Sequence, residues 1–374
     1  MRAGDMTMTN NLALVTGAAG WLGSRLVESL INGIPDCKAL STPQSDLRVR
    51  CLVLPGEDVS QLGANGRRIE IVRGDVTVAA DCARFCEGAD GAVVYHTAGI
   101  IHPRRVSELY KVNVEGTRNL LAACADAKVR RAVVMSSNSP CGTNPQPDHV
   151  FDESSPYRPY MNYGRSKMLM EQAVRGFQET GTIEPVIVRA PWFYGPNQPL
   201  RQLQFFRMIR DGGAPIVGDG SNLRSMAYVD NLSQGLILAA SKDAANGRVF
   251  WIADERPYSM NEIVDTIERL LETEFGQTCA HKRLRLPGLA SEIAWLADKS
   301  LQAVGAYNQK IHVLSEMNKT IACSVACAKA ELGYRPTVAL EEGMRRSLQW
   351  VWNKQGGLDA PVRDIPAVAG HAVS

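Results

Sequence analysis

The run Asn11-Leu12-Ala13-Leu14-Val15-Thr16-Gly17-Ala18-Ala19-Gly20-Trp21-Leu22-Gly23 decides how the rest of the chain is read. An apolar run over 12–16 predicts a short strand, and residues 22–31 carry apolar side chains at the spacing of one helix face. Glycines 17, 20 and 23 punctuate the joint between them. Gly17 permits a tight turn, Gly20 lets a pyrophosphate approach the backbone, and Gly23 lets helix and strand pack closely. The helix start adds free N–H groups and a partial positive charge. A glycine triplet alone would be only a tight turn. Between a strand and a helix it predicts a dinucleotide site.

Outward from that joint, short runs rich in valine and isoleucine recur at 49–54, 69–72, 92–96, 132–135 and 186–189, and helical stretches cover 107–127 and 163–177. The runs are too apolar for a sheet with one wet face. The expected fold is therefore α/β: a Rossmann-type, doubly wound parallel sheet covered on both sides, with a smaller C-terminal substrate-binding lobe. The texture changes after Pro191. The expected organisation is a flexible start at 1–10, a dinucleotide-binding domain at 11–190, a mainly substrate-binding lobe at 191–355, and a flexible tail at 356–374. Elements at about 227–252 are expected to return to the first domain. In the lobe, 230–240, 260–271 and 340–352 read as helices and 249–252 as a strand. Residues 289–304 place Ile293, Leu296, Leu301 and Val304 at helical spacing, interrupted by Glu292 and Asp298. Those charges favour a helix that packs or lines a channel over a membrane anchor.

The 374 residues are 45% hydrophobic and 21% charged, enough apolar content for a sizeable core and unlike collagen, coiled coil or a disordered chain. Forty-one basic residues against 39 acidic ones leave a formal charge of +2, with no general pull towards nucleic acid or membrane. Nine cysteines form no CxxC pair, and neither Cys82/Cys86 nor Cys323/Cys327 has companions at zinc spacing. Core thiols in a reducing compartment are expected, with no metal. Residues 1–10 lack the apolar core of a secretory signal, and no run approaches the ~20 residues of a membrane span, so a cytoplasmic location is expected.

Tyr163-Gly164-Arg165-Ser166-Lys167 sets a phenol and an ammonium at i and i+4 on one helix face. A neighbouring cation favours phenolate, so Tyr163 is expected to exchange a proton with a hydroxyl or carbonyl near neutral pH. Lys167 can also reach a nicotinamide ribose. Met135-Ser136-Ser137 ends a strand upstream and can offer a hydroxyl to the same substrate oxygen. Asp75, in Gly74-Asp75-Val76 after the third strand, suits the adenine amino group. The second strand ends Val53-Leu54-Pro55-Gly56, without the acid that takes ribose hydroxyls or a base for a 2′-phosphate. No Arg or Lys follows Leu54, which leans the expectation to NAD and leaves NADP open.

These motifs occur together with Thr97-Ala98-Gly99, Asn113-Val114-Glu115-Gly116-Thr117, Pro191-Trp192-Phe193-Tyr194-Gly195-Pro196, Tyr228-Val229-Asp230-Asn231 and Glu331-Leu332-Gly333-Tyr334-Arg335-Pro336. The set resembles the extended short-chain dehydrogenase/reductases, in their NAD-dependent epimerase/dehydratase branch. Pro287, Trp295 and the aliphatics around them resemble the lobe of the 3β-hydroxysteroid dehydrogenase-like branch. The resemblance implies Tyr163 as acid/base, Lys167 as its partner, and Ser137 as donor to the substrate oxygen, with Ser136 the fallback. It implies cofactor contacts at Gly17, Gly20, Trp21, Leu22, Gly23, Asp75, Val76, Ala98, Tyr163 and Lys167, and a homodimer. Arg224 matches the position that offers a guanidinium to a substrate diphosphate; the alternative is a surface arginine paired with Asp219 or Asp230. Trp192, Ile100, Ile101 and His102 follow strand ends that face the nicotinamide. The related dehydratases carry Thr-Asp-Glu where this chain has Ser136-Ser137-Asn138, which speaks against dehydration.

The expected activity is an NAD(P)-dependent epimerase or oxidoreductase acting on a hydroxyl or ketone of a nucleotide sugar, with no nucleic-acid or membrane partner. The alternatives are a 3β-hydroxysteroid-type dehydrogenase on an apolar alcohol and a catalytically silent NAD(P)-sensing protein.

Overall fold

Seven parallel strands form the central sheet of the computed structural model, which describes residues 11–360. They are β1 (Leu12–Thr16), β2 (Arg48–Val53), β3 (Ile69–Arg73), β4 (Val93–His96), β5 (Arg131–Ser137), β6 (Glu184–Ala190) and β7 (Val249–Trp251). Their order across the sheet is β7-β6-β5-β4-β1-β2-β3. The chain runs outward from β1 to β3, then crosses back to lay β4 on the other side of β1. The crevice at that reversal is where ligands bind in open α/β sheets. β1 and β4 are buried along their whole length, as strands covered on both faces must be. The Rossmann-type fold expected from the alternation is the fold observed.

Helix α1 (Trp21–Asn32) follows β1, and α2 (Ala79–Cys86) follows β3. The stretch read as one helix over 107–127 is α3 (Val106–Tyr110) and α4 (Thr117–Asp126), joined by a π-helical run, Lys111–Gly116. A tertiary contact accompanies the wide turn: a Cβ on Gly116 would sit 2.8 Å from Val76 Cγ2. α5 (Met161–Thr180) carries the Tyr-x-x-x-Lys motif. After β6 come α6 (Leu200–Arg210) and α7 (Val229–Ser241), the latter packed on β5, β6 and α1. α8 (Met260–Thr273), capped by the Ser259 hydroxyl, is followed by α9 (Leu289–Ala303), α10 (Gln309–Glu316) and α11 (Leu340–Gln355).

Residues 289–304 pack as expected, on α10 and α5, but with an unexpected face inward. They do form a helix, but α9 buries Ser291, Ala294, Asp298 and Gln302 and leaves Leu289, Ile293 and Leu296 exposed. Buried hydrogen bonds that Asp298 accepts from His312 and Gln302 hold that rotation. All nine cysteines are free thiols; Cys327 is half-buried and the others are buried. Among the described residues no cluster of metal-ligating side chains occurs, and no helix is long and apolar enough to cross a membrane.

Candidate active site

The glycine-rich joint is closed by backbone contact. Gly17 has φ +66°, and a Cβ there would lie 2.8 Å from Ala98 Cα. A Cβ on Gly23 would lie 2.0 Å from Gly17 O. Gly20 N donates to Gly17 O at 3.0 Å, and no side chain caps α1. The first N–H groups of the helix therefore point at the crevice with the helix dipole behind them. Trp21 and Leu22 are buried, so what they offer a phosphate is backbone N–H. The Trp21 indole instead donates to Pro196 O at 2.7 Å and packs on Phe193, which ties the cradle to the segment after β6.

Below the cradle runs a polar chain that sequence reasoning missed. Thr16 Oγ1 lies 2.7 Å from His96 Nδ1, His96 Nε2 lies 2.8 Å from Thr117 Oγ1, and Thr117 Oγ1 donates to Asn113 O at 2.8 Å. Because Thr117 spends its proton on Asn113, it accepts from His96 Nε2–H, leaving Nδ1 to accept from Thr16. Burial, helped by the charge of Lys167, pushes His96 down to about 3, so the imidazole is neutral. The only local signal was a histidine ending an otherwise apolar strand.

Asp75 is half-buried; its Oδ1 accepts from Thr77 N at 2.8 Å and its own N–H donates to Asp81. Val76 is buried against Gly116. At the end of β2, Glu57 accepts from Leu54 N at 3.1 Å, so the nearby acid is used by the loop itself.

The pair on α5 and the end of β5 converge. Lys167 is buried and donates from Nζ to Met135 O at 2.9 Å. The Tyr163 phenol lies near enough to the Ser137 hydroxyl to feel it, and Ser137 Oγ accepts from Ser139 N at 3.1 Å. Ser136 points the other way and donates to Glu171 at 2.6 Å. Glu171 also accepts from Arg189 at 3.0 and 2.7 Å and from Tyr157 at 2.9 Å. The fallback Ser136 is thus engaged away from α5's Tyr163, which leaves Ser137 free to take the expected place. Asn113 holds the loop after β4 onto α5, bonding both Ile100 N and O and donating to Ser166.

The titration of the pair differs from expectation. Burial pushes Tyr163 up to about 12 despite the nearby Ser137 hydroxyl, and burial brings Lys167 down to about 8 despite the nearby Glu171. Burial thus opposes the lowering of the phenol expected from its neighbour, and the ammonium is turned to Met135 O.

On the substrate side, Trp192 is half-buried and packs edge-on to Phe205, with ring centroids 5.7 Å apart. Arg224 is half-buried and donates to Glu316 O. The surface pairing considered for it is absent: Asp230 is held by Arg25 at 2.5 and 2.8 Å, and Asp219 by Ser221 at 2.7 Å. His102 Nδ1 lies 2.7 Å from the Tyr307 hydroxyl, and Tyr160 OH lies 2.7 Å from Ser315 Oγ. Tyr307 is held well above its ordinary pKa by burial, then by the charges of Asp298, Glu316 and Tyr163. Tyr307 thus reaches the loop after β4 and α10 reaches Tyr160 ahead of α5, and no local motif announced either.

A model of the NAD dependent epimerase/dehydratase family matches residues 13–253. The chain belongs to that family. Over 346 residues it is 52% identical to the uncharacterized protein y4nL of Sinorhizobium fredii (strain NBRC 101917 / NGR234), covering 92% of this chain and 96% of that protein. It is 27% identical to 3beta-hydroxysteroid-dehydrogenase/decarboxylase isoform 1 of Arabidopsis thaliana, covering 92% and 80%. It is 25% identical to N-acetyl-alpha-D-glucosaminyl-diphospho-ditrans,octacis-undecaprenol 4-epimerase of Escherichia coli O157:H7, covering 91% and 95%. The structure superposes on DesIV, a dTDP-glucose 4,6-dehydratase of Streptomyces venezuelae solved with NAD and TYD, with a TM-score of 0.71, 25% identity and coverage of 92% and 98%. Similarity to the epimerase/dehydratase family and to a hydroxysteroid dehydrogenase was expected from the motifs, and both are found.

Proposed function

We propose that this chain is an NAD-dependent epimerase or oxidoreductase acting on a hydroxyl or ketone of a nucleotide sugar. Tyr163 and Lys167 on α5, with Lys167 bonded to Met135 O beside Ser137 at the end of β5, carry this assignment. The cradle suits a dinucleotide, because contact between Gly17 and Ala98 and an uncapped α1 leave room and donors for a pyrophosphate. NAD, when bound, supplies the hydride acceptor and donor. Gly17, Gly20 and Gly23 with the backbone of Trp21 and Leu22 take the phosphates, Asp75 the adenine amino group, and Val76 and Ala98 flank the cofactor.

Tyr163 removes the proton of a substrate hydroxyl as it is oxidised and returns it on reduction. Ser137 hydrogen-bonds the same oxygen, and Lys167 supplies positive charge and a donor for the ribose. Trp192 borders the substrate. Arg224, whose only side-chain hydrogen bond among the described residues runs to a backbone carbonyl, keeps donors for the diphosphate. Elimination of water is disfavoured because Asn138, where the dehydratases carry an acid, only donates to Gly142 O at 3.5 Å.

The second assignment is oxidation of a sterol or other apolar alcohol, supported by the similarity to the Arabidopsis enzyme. The test is to incubate purified protein with NAD and either UDP- and dTDP-hexoses or sterols, following reduced nicotinamide by absorbance and sugar products by NMR. Epimer interconversion without net reduced cofactor supports the first assignment. Net reduction with sterols, indifferent to Arg224→Ala, supports the second. Undiminished turnover in Tyr163→Phe, or no thermal shift with any dinucleotide, defeats both.

A further inference from the structure

Helix α5 begins without a cap of its own. Its N-cap residue, Tyr160, makes no side-chain hydrogen bond to the helix, and Met161 stands in the left-handed region at φ +51°, where a side chain is disfavoured. Tyr163 follows in the same turn, so the aim of its phenol depends on what holds that turn. One side is fixed by the loop after β5. Tyr160 N donates to Ser139 O at 3.0 Å, and a Cβ on Gly164 would lie 2.4 Å from the same oxygen.

The other side is held from 140 residues away. Gln302 Oε1 accepts from Asn162 N, an orphan donor of the first turn, at 3.1 Å and from Asn162 Nδ2 at 2.9 Å. An amide can present either end, and Asp298 selects which. Its carboxylate only accepts, and it takes Gln302 Nε2 at 2.9 and 3.0 Å, which turns Oε1 to α5. His312 Nδ1 donates to Asp298 at 2.7 Å, and all three side chains are buried. Asn162 Oδ1 in turn accepts from the Tyr110 hydroxyl at 2.6 Å, at the end of α3. α10 adds a second grip: Tyr160 donates its hydroxyl to Ser315 Oγ at 2.7 Å, and Ser315 donates onward to His312 O.

We propose that Gln302, oriented by Asp298, is a positioning residue for Tyr163, capping α5 from α9 and fixing the angle of the phenol. A helix that needed only to pack would bury Leu289, Ile293 and Leu296, whereas α9 exposes them and turns its amide and carboxylate inward. Displacement of a reacting group by about 1 Å can cost about a hundredfold in rate, so a tether on this turn bears on turnover. The assignment rests on Tyr163 being the proton-transfer group.

The test compares the full chain with Gln302→Met, which fills similar space without the acceptor, and with Asp298→Asn/Gln302→Glu. The double variant reverses donor and acceptor between 298 and 302 while still offering Asn162 an oxygen. Calorimetry counts the sites that bind NAD, and turnover per loaded site is measured with UDP- and dTDP-hexoses and with sterols. Amide exchange over 160–167 is followed by mass spectrometry in the free chain. In Gln302→Met, kcat per loaded site is expected to fall about tenfold or more, with KM and NAD affinity within about twofold. Exchange at 160–167 is expected to quicken about tenfold, and the double variant to restore most of both. An unchanged rate per loaded site overturns the proposal, including the case where activity is lost only in step with the loaded fraction, as a merely structural role requires. So does unchanged exchange at the start of α5. A parent chain that binds NAD but turns over none of these probes sinks the role of Tyr163 instead, and exchange alone then decides whether Gln302 holds the turn.

Discussion

Glu171 holds the Ser136 hydroxyl at 2.6 Å with both residues buried, and this contact separates two adjacent serines into different jobs. The same carboxylate takes Arg189 in a two-point grip, and the Arg189 guanidinium lies 5.5 Å from the ring centres of Tyr157 and Trp251. Glu171→Ala would leave Arg189 buried and unpaired. Its expected cost is about 3–5 kcal/mol, read from denaturant melts.

The serines should divide in kinetics as they do in space. Ser137→Ala is expected to lower kcat by about a hundredfold with little change in melting. Ser136→Ala is expected to cost about 1–3 kcal/mol of stability and to leave kcat within a few-fold of the parent. Steady-state rates and melts on both variants decide it.

Burial of Lys167 has a consequence in pH. The unfolded chain keeps this proton up to about 10.5, whereas the folded chain releases it near about 8. The unfolded state therefore binds more protons between those values, and the cost of burying the ammonium, full below about 8, fades as pH rises. Lys167→Met is expected to melt higher than the parent at pH 7, by a margin that shrinks above pH 8, while losing turnover. Melting curves across that window, beside a rate assay, provide the check.

Gly17→Ala would force a side chain into φ +66° and set its Cβ 2.8 Å from Ala98 Cα. A fall in dinucleotide affinity of about tenfold or more is expected by calorimetry, with a smaller loss of stability.

Arg224→Ala is expected to raise KM for a nucleotide sugar by about ten- to a hundredfold with kcat less affected, because it removes a charge-assisted contact far from the reacting carbon. Unchanged KM would detach Arg224 from the diphosphate.

Adjacent chemistry was legible in the chain itself. Strand, glycine turn and helix follow one another directly, so backbone geometry alone places Gly17, Gly20 and Gly23, and helix pitch alone puts Tyr163 and Lys167 on one side. Burial of whole strands showed in their unbroken apolar runs, and with it the doubly covered sheet. Partnerships between distant segments were not legible. Arg224 meets Glu316 across 92 positions, Asp230 is taken by Arg25 across 205, and His96 is fixed by Thr16 and Thr117. Such pairs depend on which surfaces meet after folding, and no local spacing encodes that. The rotation of α9 is the clearest instance: its apolar residues favour burial, yet Asp298, Gln302 and His312 satisfy one another inside and turn those residues outward. A buried polar group left without a partner costs more than an exposed leucine, so tertiary hydrogen bonding overrode the hydrophobic pattern.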